Sequence, residues 1–186
     1  IASGAHTDLI LMHAHGGFEI LGRTRDDASG ESLDKAARVL GLGYPGGPAI
    51  EQAATGVFPE VKLPRAWLKG TWDFSFSGLK TALLHKAQEW GIYPNLNDKI
   101  DQEKVGVLAA SFQDSVVDVM VSKAIEAIEN FGAKGLILGG GVSANKLLRS
   151  EAKRKSPVPV LVPAPRLCTD NAAMIGAAAY FRRYDG

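Results

Sequence analysis

Three glycines in a row, directly after an apolar run, constrain this chain more than any other feature. Residues 136–149 read LILGGGVSANKLLR. Leu136, Ile137 and Leu138 have the character of a buried strand. Gly139, Gly140 and Gly141 follow at once, and Ser143 and Asn145 open an amphipathic segment that ends at Arg149. Strand, glycine turn and helix N-terminus together suit a nucleotide. A backbone without Cβ lets a ligand come close, and the helix start presents N–H donors. A plain tight turn would need one glycine; three followed by Ser and Asn fit it poorly.

Two kinds of nucleotide site share this pattern. The run GGGVSA fits the dinucleotide fingerprint G-x-G-x-x-[GA]. That fingerprint wants an acid at the end of the next strand to hold a ribose. The next apolar run, 158–162, ends in Pro163-Ala164-Pro165-Arg166 with no acid, which weakens the dinucleotide reading. The other kind is the adenosine motif of actin-like and sugar-kinase-like proteins. There the glycines face adenosine and a residue such as Asn145 hydrogen-bonds the nucleoside.

With 186 residues the chain suits one domain or one lobe of a larger protein. Its formal net charge of +1 gives no global attraction to a polyanion. Lys146, Arg149, Lys153, Arg154 and Lys155 form a local basic run, which reads first as a solvated helix face. A single cysteine, Cys168, excludes an internal disulfide, suits a reducing compartment and implies a cytoplasmic protein. No apolar stretch reaches membrane-spanning length and no signal peptide is visible, so no membrane partner is expected. The chain opens without Met in material that reads as strand and turn. The expectation is therefore a fragment whose N-terminal part is absent.

Along the chain, residues 8–12 and 18–21 read as a hairpin around His13-Ala14-His15-Gly16-Gly17. Residues 31–40 have helical spacing and stop at Gly41 and Gly43, and Pro48 suits a new helix's first turn. Glycines and prolines argue against regular structure over 55–76, after which Ser77 can cap a helix to Trp90. The longest helical pattern spans 101–130. There Val105, Leu108, Ala109, Phe112, Val116, Val119 and Met120 make a buried stripe. A strand over 135–138, a helix over 143–155, a strand over 158–162 and a helix over 170–184 complete the pattern. The fold class is α/β with a mixed sheet and flanking helices, compatible with one ribonuclease-H-like half of an actin-like protein.

Several segments together go beyond a generic nucleotide site: SGAHT at 3–7, DDASGESLDK at 26–35, YPGGP at 44–48, DFSFSGLK at 73–80, the glycine segment, and CTDNAAMI at 168–175. In this order and spacing they closely resemble the TsaD family, transferases that complete threonylcarbamoyladenosine in tRNA and once carried the name sialoglycoprotein endopeptidases. The resemblance covers essentially the whole chain. It implies the C-terminal lobe, residues 1–186, of an actin-like (ribonuclease-H-like) ATPase-type transferase, with the N-terminal lobe absent. It also implies transfer of threonylcarbamoyl from threonylcarbamoyl-adenylate to an adenosine of tRNA, alongside the other proteins of that pathway.

The resemblance assigns roles residue by residue. Ile1, Ala2, Ser3, Gly4 and Ala5 match the phosphate-side turn. Asp34 matches the ribose-binding acid, Gly47 the glycine that lets the loop close on the nucleoside, and Asn145 the nucleoside-binding asparagine. Glu51 stands where many members have a second nucleoside-binding Asp. Asp170 matches one ligand of a divalent metal, iron or zinc; the family's histidine pair has no counterpart here. The family usually has Gly at position 5, Glu at position 23 and Phe at position 33. A Cβ on Ala5 would crowd a phosphate if φ were positive there.

From the residues alone, Asp34 could be a surface acid, Gly47 a turn glycine, and Asp170, with Thr169 and Asn171 as competitors, a cap of the last helix as well as a ligand. His13 and His15 alternate on the hairpin and read as exposed turn residues. Cys168 reads as a small packed residue, since no His or acid is placed to activate it. Two rivals remain. A metal-dependent glycoprotease wants H-E-x-x-H, which is missing. A noncatalytic nucleotide-binding relative need not keep Asn145 and Asp170.

Overall fold

The computed structural model describes residues 1–94 and 101–182. Its axis is α4 (Gln102–Phe131), a 30-residue helix. Asp101 caps it by accepting from the N–H groups of Glu103 and Lys104, and Gly132 ends it in the left-handed conformation at φ 62°. The expected stripe is buried from Val105 to Val119, with Met120 half-buried. The buried face is wider than a stripe, however. Gly106, Val107, Ala110, Gln113 and Val117 are buried too, so the stretch 105–113 is enclosed on all sides.

One expectation does not hold: that no apolar stretch reaches membrane-spanning length. By length and composition α4 could cross a membrane, with a window of mean hydropathy 1.3. Yet 78% of that window is buried inside this protein, as a core helix would be. It packs against α1 (Ser29–Val39), α2 (Gly46–Ala53), α3 (Ser77–Glu89) and α5 (Lys146–Lys155). Leu33, Ala36 and Ala37 from α1, Ile50 from α2 and Leu79, Leu83 and Ala87 from α3 close the main core around Leu108 and Phe112.

Helix α2 begins at Gly46, which puts Pro48 in its first turn as the sequence implies. The start of α3 differs from the sequence reading. Ser77 does not cap α3. Asp26, distant in sequence, does so instead. Its carboxylate accepts from the N–H groups of Phe76 and Ser77 and from the hydroxyls of Ser75 and Ser77. Residues 55–76 carry no helix or strand beyond an isolated bridge between Thr24 and Phe74, as their glycines and prolines imply. The segment read as one helix from 143 divides into a 3-10 turn (Gly141–Ala144) and α5.

The strands do not form the single mixed sheet expected. Strands β1 (Asp8–Ala14) and β2 (Gly17–Arg23) pair antiparallel, while β3 (Leu136–Ile137) and β4 (Val160–Leu161) pair parallel, as two separate two-stranded sheets. The remaining edges of β1 and β3 do not meet. The class is α/β, but the sheet is in two halves. A smaller core of Val117, Val121, Leu148 and Ala152 lies between α4 and α5 and takes in half-buried Leu136 and Val160. Helix α6 (Ala172–Arg182) has no buried residue, and its Phe181 stacks on His15 at 3.7 Å. Residues 183 and 184, read as its last turn, lie outside the described residues.

Candidate functional site

Ala2 ties the chain's first residues to the glycine loop. Its N–H donates to the Gly139 carbonyl at 2.7 Å, and its own carbonyl accepts from Val142 N–H at 2.9 Å. Gly140 sits at φ +92°, and a Cβ there would come 2.3 Å from the Ala2 oxygen. Conformation and clearance therefore both demand glycine at 140. Beyond Ala2, Ser3 builds a tight turn. Its hydroxyl accepts from the N–H groups of Ala5 and His6, and its carbonyl accepts from Gly30 N–H at the start of α1. Thr7 and Ser29 lock the same junction through a buried pair of hydrogen bonds. Among the described residues, the amides of Gly4, Gly139 and Gly140 have no hydrogen-bond partner. Unpaired amides in glycine turns are the usual material of an anion-binding concavity. Neither Gly4 nor Ala5 has positive φ, so the Cβ of Ala5 is unstrained.

Helix α2 links the remaining nucleotide candidates. At its start Asp34 Oδ1 accepts from Gly46 N–H at 2.7 Å, leaving Oδ2 without a partner among the described residues. Gly46, not Gly47, is the glycine the fold requires. A Cβ on Gly46 would lie 2.4 Å from the Asp34 Cα, while one on Gly47 would meet only Leu33 Cδ1 at 4.0 Å. Further along, Glu51 Oε1 accepts from Lys146 N–H at 3.0 Å, the first amide of α5. Gly46 and Glu51 are separated by about 7–8 Å of helix rise. Asp34, Glu51 and Asn145 thus occupy one side of the molecule.

Asn145 does more than sequence indicates. It is 7% exposed; its Oδ1 caps α5 by accepting from Leu148 N–H, and its Nδ2 donates to Gln113 Oε1 at 2.8 Å. An amide side chain has one further lone pair and one further N–H, so a nucleoside contact is still available to it. Gln113 was absent from the sequence reading. The signal for it was a lone amide inside the apolar stripe of α4.

Asp170 is exposed just before α6, and among the described residues no hydrogen bond holds it. The cap of α6 is Asn171, whose Oδ1 accepts from Met174 N–H at 3.1 Å; this corrects the capping role expected of Asp170. A Cβ on Gly141 would lie 3.8 Å from Thr169 Cγ2, so Asp170 follows directly on the glycine loop's neighbour. No group of three His, Cys, Asp or Glu residues able to hold a metal occurs among the described residues. The residues present therefore do not make a metal site on their own. His13 pairs with Glu19 and His15 stacks on Phe181, both at the surface.

The basic run mostly dissolves. Arg154 pairs with Glu151, and Lys155 with Asp118 and Glu151. Arg149 turns inward, donating to the carbonyls of Ser143 (2.6 Å) and Pro163 (2.9 Å) and to Cys168 Sγ (3.1 Å). It joins the end of the glycine loop to the segment before Asp170. Cys168 is buried as a packed residue.

The acidic and DFSFSGLK segments clamp each other beside the site. Burial would push the Asp26 carboxyl up, but its hydrogen bonds from Ser75, Phe76 and Ser77 hold it below the ordinary range. Asp73 is lowered by Arg23 N–H and by Arg25, and Asp27 pairs with Lys35 and Lys80. Position 23 contributes its backbone N–H to Asp73, a donor that every residue type but proline offers.

The chain is similar to known proteins along nearly its whole length. A family model described as TsaD, tRNA N6-adenosine threonylcarbamoyltransferase, matches residues 1–177. A protein of that name from Dehalococcoides mccartyi is 52% identical over 99% of this chain and 53% of its own length. Those from Thermomicrobium roseum and Bacillus cereus are 50% and 49% identical, over 97% and 96% of this chain. The chain thus spans about half the length of these relatives. The crystal structure of T. kodakarensis HypF shares the fold over 85% of this chain and 20% of its own, with a TM-score of 0.60 at 20% identity.

Proposed function

The chain belongs to the TsaD family, tRNA N6-adenosine threonylcarbamoyltransferase, and from that premise we propose that it supplies one lobe of an enzyme transferring threonylcarbamoyl from threonylcarbamoyl-adenylate to an adenosine of tRNA. We read residues 1–186 as the C-terminal lobe of an actin-like arrangement whose other lobe lies outside this chain. The observation that carries the reading is the union of the 1–5 turn and the glycine loop through Ala2, with unpaired amides at Gly4, Gly139 and Gly140.

In this reading those amides meet the phosphate of the adenylate, and the unpaired oxygen of Asp34 accepts from a ribose hydroxyl. Asn145 and Glu51 border the nucleoside. Fixed donors around the phosphate stabilise the charge that grows on the leaving adenylate. The adenosine amine attacks the carbamoyl carbon and a C–N bond forms. The bond from that carbon to the phosphate oxygen breaks, AMP leaves with the electron pair, and the amine gives up a proton. Holding the adenylate against tRNA supplies much of the gain by positioning. Asp170 by itself is not a metal site; we assign it one ligand position for a divalent ion, iron or zinc, that the other lobe completes. The proposed partners are tRNA and the other proteins of the same pathway, in the cytoplasm.

A chimera tests this reading. The matching half of the Dehalococcoides relative is replaced by this chain, and threonylcarbamoyl transfer to tRNA is measured. Transfer is expected, and it should fall at least tenfold with Asn145→Ala. A folded chimera without transfer would overturn the assignment. The 186-residue chain alone should be catalytically silent, since one carboxylate falls short of the roughly three protein ligands a catalytic metal needs.

A further inference from the structure

Asn145 is held at both ends of its amide, and the two bonds fix which end is which. Its Oδ1 accepts from Leu148 N–H at 3.0 Å. A backbone N–H only donates, so the oxygen faces Leu148 and the nitrogen lies on the other side. That nitrogen donates to Gln113 Oε1 at 2.8 Å, across 32 residues of sequence. Gln113 therefore turns its acceptor end to Asn145, and its Nε2 has no partner among the described residues.

An amide is a costly occupant at position 113. It follows Phe112 directly on α4, one turn after Ala109 and one turn before Val116, none of them more than 1% exposed. Gln113 itself is 7% exposed. Taking an amide out of water costs free energy unless hydrogen bonds replace the lost ones. Among the described residues its side chain makes one bond, to Asn145. A hydrocarbon side chain of the same length would fill the space without that cost, but it would offer Asn145 no acceptor.

A single hydrogen bond leaves an Asn amide free to swing, because its terminal torsion is broad. Two bonds, one to α5 and one to the α4 helix packed against it, fix the plane of the amide. The second hydrogen on Nδ2 and the second lone pair on Oδ1 are the groups left for a ligand, and their directions are then set.

We infer that Gln113 is a positioning residue for nucleoside binding, acting through Asn145 and not on the ligand. The inference rests on the nucleoside role proposed above for Asn145. Position 113 has to supply an acceptor oxygen at the end of a side chain of this length. The Nε2 donors are dispensable.

The test uses the full-length chimera described above, with AMP as the probe in a calorimetric titration and Tm measured alongside. Gln113→Met keeps the length and removes the acceptor. It should weaken AMP binding about fivefold, the scale of releasing one held side chain at a binding surface. Gln113→Glu keeps an acceptor oxygen and removes both donors, and it should bring affinity back to within about twofold of the unsubstituted chimera. With Asn145→Ala already in place, Gln113→Met should cost no further affinity, because the residue it acts through is gone. A Gln113→Met chimera that melts lower but binds AMP as before would make Gln113 a packing residue and overturn the inference. So would a loss with Glu as large as with Met, which would put Nε2 on the ligand, or a loss that adds to that of Asn145→Ala. An unsubstituted chimera that fails to bind AMP would instead overturn the nucleoside reading of Asn145, and this inference with it.

Discussion

The two sides of the molecule are built to different standards. On one side α1, α2, α3 and the first half of α4 enclose a continuous core, with Leu83, Leu108 and Phe112 each at 0% exposure. On the other, β1, β3 and α6 present Met12, Ile137 and Ile175 at 40, 60 and 64% exposure. The nucleotide candidates lie along the seam. Their anchors, Asp34, Glu51 and Gln113, come from the closed side, and the glycine loop comes from the open one. A sheet in two halves next to an enclosed helical core shows that this chain holds one wall of the candidate site more firmly than the other.

The largest expected effect tests the closed side. Phe112→Ala should cost about 3–5 kcal/mol, measured by urea denaturation, because it empties a fully enclosed position. A cost below about 1 kcal/mol would erase the contrast between the two sides. Asn145→Ala crosses the seam. It removes the α5 cap and leaves Gln113 without its partner, for an expected loss of about 2 kcal/mol in the same measurement. A neutral result would show that the seam is not held there.

Acid sharpens the comparison from the charged clamps. Asp26, Asp73 and Asp118 all have carboxyls lowered in the folded chain. For Asp118, burial pushes the other way and is outweighed by Lys155 and Arg65. Folded values lie below the unfolded value of about 3.9, so their stabilisation is present above that pH and is lost as pH falls through the folded values. Stability measured from pH 6 down to pH 2.5 should fall with acid. Asp26→Asn should flatten that fall, and an unchanged slope would remove Asp26 from the clamp. The smallest effect belongs to the open side. Ile175→Ser on α6 should change stability by less than about 0.5 kcal/mol. A larger loss would mean that α6 is packed and that the open side is smaller than it looks.

Local patterns were legible in the sequence. The spacing of Val105, Leu108 and Phe112 located α4, the His13–Gly17 turn located the hairpin, and three glycines located the loop against Ala2. Features that depend on distant partners were not. Little near Arg149 distinguishes it from the solvated Lys153, because two of its three acceptors sit at Pro163 and Cys168. Ser77 had the right residue type for a cap but lost the position to Asp26, which is a carboxylate and reaches two amides. Asp170 lost its capping role to Asn171 one residue on, within the usual uncertainty of helix ends. The single sheet was expected because alternating strands and helices normally share one, and sequence does not reveal that the two edges fail to touch. For the site itself, the roles of Asp34, Gly47, Glu51 and Asn145 came from the family resemblance. Their connection through α2 came from geometry.

The bonds that assemble the seam also carry a kinetic consequence. Asp34 reaches Gly46 across 12 residues, whereas Glu51 reaches Lys146 across 95. Closing the longer loop costs about 2 kcal/mol more in chain entropy. The helical core, rich in near neighbours, can therefore gather before the glycine loop finds Ala2 and α5 finds Glu51. In a refolding experiment, substitutions at Leu33 or Ile50 should slow folding. Substitutions at Asn145 or Glu51 should instead quicken unfolding, so that the candidate-site wall is the last part of this chain to form and the first to open.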